Sequence, residues 1–167
     1  RKEDITDKDL VKFLSDNKEQ LKIEYLDFDY TIINPKNLIG ADEFNQTFFD
    51  KIDQIEIDIS NDINFDTIIS NFNLKSFEIK DFRFSTKKNE IEKKIFELRN
   101  NNFDIFESGN NYVIYKINDI KQKKPDLNDI QTRKEIIELV FQKNKFEYNK
   151  KLLDKIRDND FNNNDFL

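Results

Sequence analysis

The side chains of this chain that can do chemistry are carboxylates, lysines, arginines, tyrosines and hydroxyls, because its 167 residues include no His, Cys, Met or Trp. No Ser-His-Asp or Cys-His pair, imidazole ligand or thiolate can be assembled from them. The carboxylates Asp50, Asp53, Glu56, Asp58 and Asp62 form a strip that invites a test for metal binding. A calcium loop would need a Gly-containing turn among such oxygens. Here they fall within a helical pattern and read as its water-facing side, so no metal and no cofactor is expected. Lys121, Lys123 and Lys124 make a small basic run, either a phosphate or membrane-surface patch or a solvated linker; the linker reading is preferred. Tyr30 lies in a β-rich run and reads as a half-buried strand tyrosine. A folding or binding role is favoured over an enzymatic one.

The hydrophobic periodicity says which elements position these groups. Thr6 with Asp9 resembles a capping box, and Leu10, Phe13, Leu14 and Leu21 give an apolar stripe, predicting a helix from Thr6 to about Leu21. Residues 24–33 are β-rich and end at Asn34-Pro35. Phe44, Phe48, Ile52, Ile55 and Ile59 predict a helix over 41–62, and Asn64 a cap for a second over 65–72. Phe77, Ile79, Phe82 and Phe84 predict an extended segment, and Ile91, Ile95 and either Phe96 or Leu98 a helix over 89–99. Residues 103–106 and 112–120, joined by Ser108-Gly109-Asn110-Asn111, predict a hairpin. Pro125 breaks the chain, Asp126 can cap a final helix to about Asp158, and a polar tail over 159–167 is expected to fray.

The order predicts an α+β domain over 23–120 between an N-terminal flanking helix (5–22) and a long C-terminal helix (126–158). Neither flanking helix buries its stripe alone. They must pack together, against the domain, or against another chain as a homo-oligomer. A chain with 17 Phe can bury a real core. The net charge of -6 argues against a nucleic-acid partner. No apolar run approaches the ~20 residues of a membrane span. The Asn- and Lys-heavy usage looks like a compositional bias, so single Asn or Lys residues are discounted. The start at Arg1-Lys2-Glu3-Asp4, without Met, is expected of a piece of a longer protein.

Residues Asn89–Phe96, Leu98 and Asn110-Asn111-Tyr112-Val113-Ile114-Tyr115-Lys116-Ile117 resemble the end of a parvulin-type prolyl isomerase domain. Asn118–Leu127 is similar to that family's exit into a C-terminal helix. Ile5–Leu10 leading to Asn17-Lys18 resembles the helix before its first strand, and residues 41–74 its helical pair. The order is similar to that of periplasmic folding factors of the SurA and PpiD class. The resemblance implies a parvulin-like core with a small, mostly antiparallel sheet, flanked by helices that can assemble into a chaperone module. It also implies a periplasmic location and an inner-membrane anchor through a segment outside this chain.

The resemblance also locates the departures. Active parvulins carry one histidine on the first strand and one on the last; Tyr30 and Val113 stand at those positions here. The family's GGDLGWF stretch falls near Asp81–Phe84 without its glycines, Lys87 stands where an apolar residue often lines the proline pocket, and Asn111 replaces a turn glycine. The residues implied for a peptide groove are Tyr30, Phe82, Phe84, Ile91 and Val113; Phe82, Phe84 and Ile91 read equally well as core. No catalytic residue is assigned. The leading expectation is a non-catalytic or weakly catalytic chaperone for unfolded or newly exported polypeptides. The alternatives are an active prolyl isomerase using Tyr30, and a structural or oligomerisation domain without clients.

Overall fold

The computed structural model describes residues 1–84 and 89–165, with side chains through Arg157 in the last helix; Lys87 lies outside the described residues. The chain forms two compact units. One comprises residues 24–123 and the other residues 1–23 with 124–167.

In the first unit, β1 (Ile23–Ile33), β2 (Phe77–Phe82), β3 (Phe103–Ser108) and β4 (Asn111–Lys123) form a four-stranded antiparallel sheet in the order β2-β1-β4-β3. The architecture is α+β. Side chains alternate along a strand, so β1 and β4 supply both faces of the sheet. Leu26, Phe28, Tyr30, Val113 and Tyr115 pack on one face with Phe82 and with Ile95 of α5 (Glu90–Glu97). On the other face, Ile33 and Ile114 pack with Phe48, Ile52 and Ile55 of α3 (Gln46–Ser60) and with Phe65 and Ile68 of α4 (Phe65–Asn71). Thr31 is buried in the sheet and donates its hydroxyl hydrogen to the Lys75 carbonyl at 2.7 Å, so no polar group is stranded there.

Asparagine sets most helix starts. Asn34, Asn45, Asn64 and Asn89 each accept a backbone N–H from the first turn of the helix they precede. The Asn34 cap begins a short helix, α2 (Pro35–Ile39), where the sequence suggested only a break; Pro35 occupies its first turn and Gly40, at φ 66°, ends it. The Asn45 cap starts α3 at residue 46 rather than near 41. Phe44 and Phe49 then stack across that cap with centroids 6.0 Å apart, a hydrophobic staple. The ends of α3 and α4 are Schellman turns. Asp62 and Asn73 take left-handed backbones (φ 59° and 53°), and Ile63 and Leu74 donate back to the carbonyls of Asp58 and Ile69.

The hairpin turn is Gly109-Asn110, with Gly109 at φ 62°. Asn111 is not the left-handed residue that the sequence assigned. It is the first residue of β4 and pairs with Ser108, because Gly109 already supplies the required positive φ.

In the second unit, α1 (Asp7–Asp16) packs on α6 (Ile130–Asp165) through Leu10, Ile136 and Val140. The capping box is present: Thr6 Oγ1 accepts from Asp9 N at 3.2 Å, and Asp9 Oδ2 from Thr6 N at 2.9 Å. Helix α1 ends five residues before Leu21, because the Asn17 side chain bends back to the Phe13 carbonyl. Helix α6 starts at residue 130 under an Asp129 cap, with Oδ2 accepting from Thr132 N at 3.0 Å; Asp126 instead organises the preceding turn. It continues to Asp165, through most of the expected tail, where neither Pro nor Gly stops it. No helix among the described residues is long and apolar enough to cross a membrane.

These caps make opposite predictions in urea unfolding. Asn64→Ala lowers stability by about 1 kcal/mol and Asn64→Gly by only a few tenths. Asp62→Gly, which removes a Cβ from a left-handed backbone, raises stability by about 0.5–1 kcal/mol.

Candidate functional site

The five residues implied for a peptide groove gather around one face of the sheet, but they do not line an open cleft. β1 turns Tyr30 inward, leaving it 6 % exposed. Its ring packs at 5.9 Å from Phe28 and 5.4 Å from Phe77, and its hydroxyl donates to Glu92 Oε2 of α5 at 3.3 Å. Val113 on β4 has no exposed surface. Phe82, at the end of β2, is buried with its ring edge-on to Phe28 at 5.6 Å. Ile91 of α5 is half-buried against the same cluster. Phe84 alone is well exposed; it lies 5.5 Å from the Phe96 ring. Side chains of α5 and β2 therefore fill the space over the two positions that stand for histidines. Val113 and Phe82 offer no surface to a peptide, and the Tyr30 hydroxyl is already engaged.

Burial, followed by the charge and hydrogen bond of Glu92, pushes the Tyr30 phenol up to about 12. Burial and the Asp104 charge raise Tyr115 to about 12 as well. Both rings therefore stay neutral over the whole physiological range. Tyr30 cannot serve as a phenolate base there.

A charged cluster that the sequence reading passed over lies at the end of β2. Asp81 has a positive φ of 53° inside a β-bulge where β2 pairs with β1. Asp81 thus adopts a backbone that glycine would favour. The Asp27 carboxylate accepts the Asp81 N–H at 2.8 Å. Lys121 Nζ lies 2.7 Å from Asp27 Oδ2 and 3.1 Å from Asp81 Oδ1, and Lys123 Nζ is 3.0 Å from Asp81 Oδ1. Burial pushes the Asp27 carboxyl up, but the Asp81 amide and Lys121 more than offset it. Hydrogen bonds from Lys123 and Lys121 hold Asp81 below its ordinary value. Two members of the basic run are thus strand residues bound to carboxylates, not a free cationic patch. The only sequence signal for this was the i, i+2 spacing of Lys121 and Lys123 on one strand face.

The carboxylate strip divides. Asp50 and Asp58 accept from Gln46 and Gln54 along the exposed side of α3, and Asp62 lies past the helix end. Among the described residues no group of three or more His, Cys, Asp or Glu is arranged to hold a metal ion.

Compared with protein-family models, curated proteins and solved structures, the chain finds no match.

The two raised phenols make a prediction about alkaline stability. The folded state holds these protons more tightly than the unfolded chain, where tyrosine ionises near 10. Their contribution is full below pH 10 and is lost as pH rises from 10 through about 12. The double variant Tyr30→Phe, Tyr115→Phe flattens that part of the stability–pH curve. A wild-type phenolate absorbance titration complete by pH 11 would refute the assignment.

Proposed function

We propose that this chain is the parvulin-like part of a periplasmic protein-folding factor, acting without prolyl isomerase chemistry or with only weak activity. It binds unfolded or newly exported polypeptides. The observation that carries the reading is the order of elements. Strand, helices, strand, helix and hairpin follow one another as in the quoted motifs, between two terminal segments that pack on each other. The loss of activity is argued from the site. Twisting a prolyl amide over a barrier of ~18–20 kcal/mol needs a desolvated pocket with hydrogen-bonding groups aimed at the amide. Here one of the two aligned positions is a buried valine and the other a tyrosine bound to Glu92. Periplasmic location and an inner-membrane anchor outside this chain are what the resemblance implies.

Polypeptide binding draws support from apolar side chains left in water. Phe77 is 54 % exposed on β2, and Phe146 and Leu153 are exposed on α6. Apolar groups clustered in water mark interaction surfaces more often than scattered single ones do. The α6 residues also favour a second reading, in which Leu139, Phe146 and Leu153, spaced seven apart and all exposed, pair with another copy of the chain.

A protease-coupled assay on Xaa-Pro peptides, with an active parvulin as control, tests catalysis; the expected rate equals that of the uncatalysed reaction. Light scattering of a refolding client tests binding, and a several-fold molar excess of this protein is expected to suppress aggregation. No suppression, together with a mass that rises with concentration, selects the oligomer reading instead.

A further inference from the structure

The outer edge of β3, facing α3, has the form of a strand-addition site. Because the order is β2-β1-β4-β3, β3 has a sheet neighbour on one side only among the described residues. Its register shows which groups face outward. Ser108 and Asn111 flank a two-residue turn, so Ser108, Phe106 and Asp104 point their backbone groups toward β4. Continuing this alternation, Ile117 N donates to the Asn102 carbonyl at 2.7 Å. The backbone groups of Phe103, Ile105 and Glu107 therefore face away from the sheet. Two of these N–H groups are held by local side chains: Ile105 N donates to Asp104 Oδ1 at 2.8 Å and Phe103 N to Asn101 Oδ1 at 3.4 Å.

Two cavities lie beside this edge. One of about 430 Å³ is lined by Phe44, Phe49, Glu107 and Tyr112 together with the turn. The other, about 480 Å³, is lined by Glu56, Ile59 and Ser60 of α3 and by Phe103, Asp104 and Ile105. Both include side chains of β3 and side chains in or beside α3. The lining is aromatic and acidic. Phe44 and Phe49 are 38 % and 40 % exposed although they staple the helix start. The Tyr112 hydroxyl donates to Glu107 at 3.0 Å, and Asp53 and Glu56 add to the negative field there. Among the described residues, neither cavity lining contains a Lys or Arg side chain.

We propose that this edge binds an extended, basic peptide segment with interspersed apolar residues as an added strand. Peptide carbonyls replace Asp104 and Asn101 on the Ile105 and Phe103 N–H groups, and the outward carbonyls accept peptide N–H groups. Side chains on the α3-facing side of the peptide enter the two cavities. An aromatic or branched residue sits on Phe44 and Phe49, and Lys or Arg meets Glu56, Asp104 or Glu107. A second copy of the same edge is the wrong partner, because it would bring a second Asp104 and Glu107 to a lining that already carries Glu56, and supply no cation to meet them. The site does not depend on the parvulin-type reading. Peptide binding here and suppression of client aggregation can succeed or fail separately.

The test is fluorescence anisotropy at physiological salt with a labelled Thr-Phe-Thr-Lys-Thr-Lys-Thr peptide, whose alternation places Phe and both Lys on one face of the strand. Saturable binding is expected. It weakens by at least about tenfold when Glu replaces Lys in the peptide, and likewise when alternate peptide nitrogens are methylated. The double variant Glu56→Lys, Glu107→Lys, with its thermal unfolding recorded, loses the Lys peptide and gains the Glu peptide. Amide shifts of the wild-type protein at 103, 105 and 107 locate the binding without any substitution. The proposal is overturned by absence of saturable binding, by equal affinity for the Lys and Glu peptides, by indifference to N-methylation, or by unshifted amides at those three positions.

Discussion

The first unit is organised by two central strands that must be buried on both faces. β1 and β4 lie side by side in the middle of the sheet, and each sends alternate side chains in opposite directions. Val113 and Tyr115 go to the α5 side, while Ile114 between them goes to the side of α3 and α4. With Phe28, Val113 and Ile114 all fully buried, helices have to cover both surfaces. The helices between β1 and β2 cover one face, and the helix between β2 and the hairpin covers the other. A change in register by one residue would exchange the two cores, moving Asp27 and Asp29 into an apolar face.

Glycine scarcity is the second constraint. With two glycines in 167 residues, Asn and Asp perform work that glycine does elsewhere. Asp62, Asn73 and Asp81 hold left-handed backbones, two at helix ends and one in a β-bulge. Asn and Asp tolerate that conformation better than other residues that carry a Cβ. The Asp81 bulge is anchored by charge: Asp27 receives its amide, and Lys121 and Lys123 neutralise the paired carboxylates. The same logic appears where α5 meets β1. Arg99 grips Glu24 with two hydrogen bonds (2.7 and 3.2 Å) while its guanidinium lies 4.2 Å from the Phe96 ring centre.

The chemistry of the chain follows from how these constraints fill space. A parvulin-type site would need an open pocket over the first and last strands. Here that position is used for packing: Tyr30 is tied to Glu92, and Phe82 and Val113 are core. Open apolar surface lies at the β3 edge, along α6 and at Phe77 and Phe84. Binding by contact area and main-chain hydrogen bonds asks only for such surfaces, whereas catalysis asks for aligned donors in a dry cavity.

The sequence by itself determined the element types and their order, because periods of two and near four are local properties written in Phe, Ile and Leu. It also showed the Thr6–Asp9 box, the Asn64 cap and the Gly109-Asn110 reversal, which are contacts between residues a few positions apart. Local competition shifted the boundaries: Asn17 shortened α1, Asn45 trimmed α3, and Asn34 with Pro35 made a helix where a break was expected. Discounting single asparagines hid three of the four caps. The candidate groove was legible as a neighbourhood, since Tyr30, Phe82, Ile91 and Val113 do share one face. Whether that neighbourhood was open or filled depended on side-chain volume contributed by elements about 30 to 80 residues apart. No spacing encodes that sum. The same holds for the Tyr30–Glu92 bond, the Asp27–Asp81–Lys121 cluster and the acidic groove between α3 and β3: each joins residues distant in the chain, and only the folded sheet brought them together.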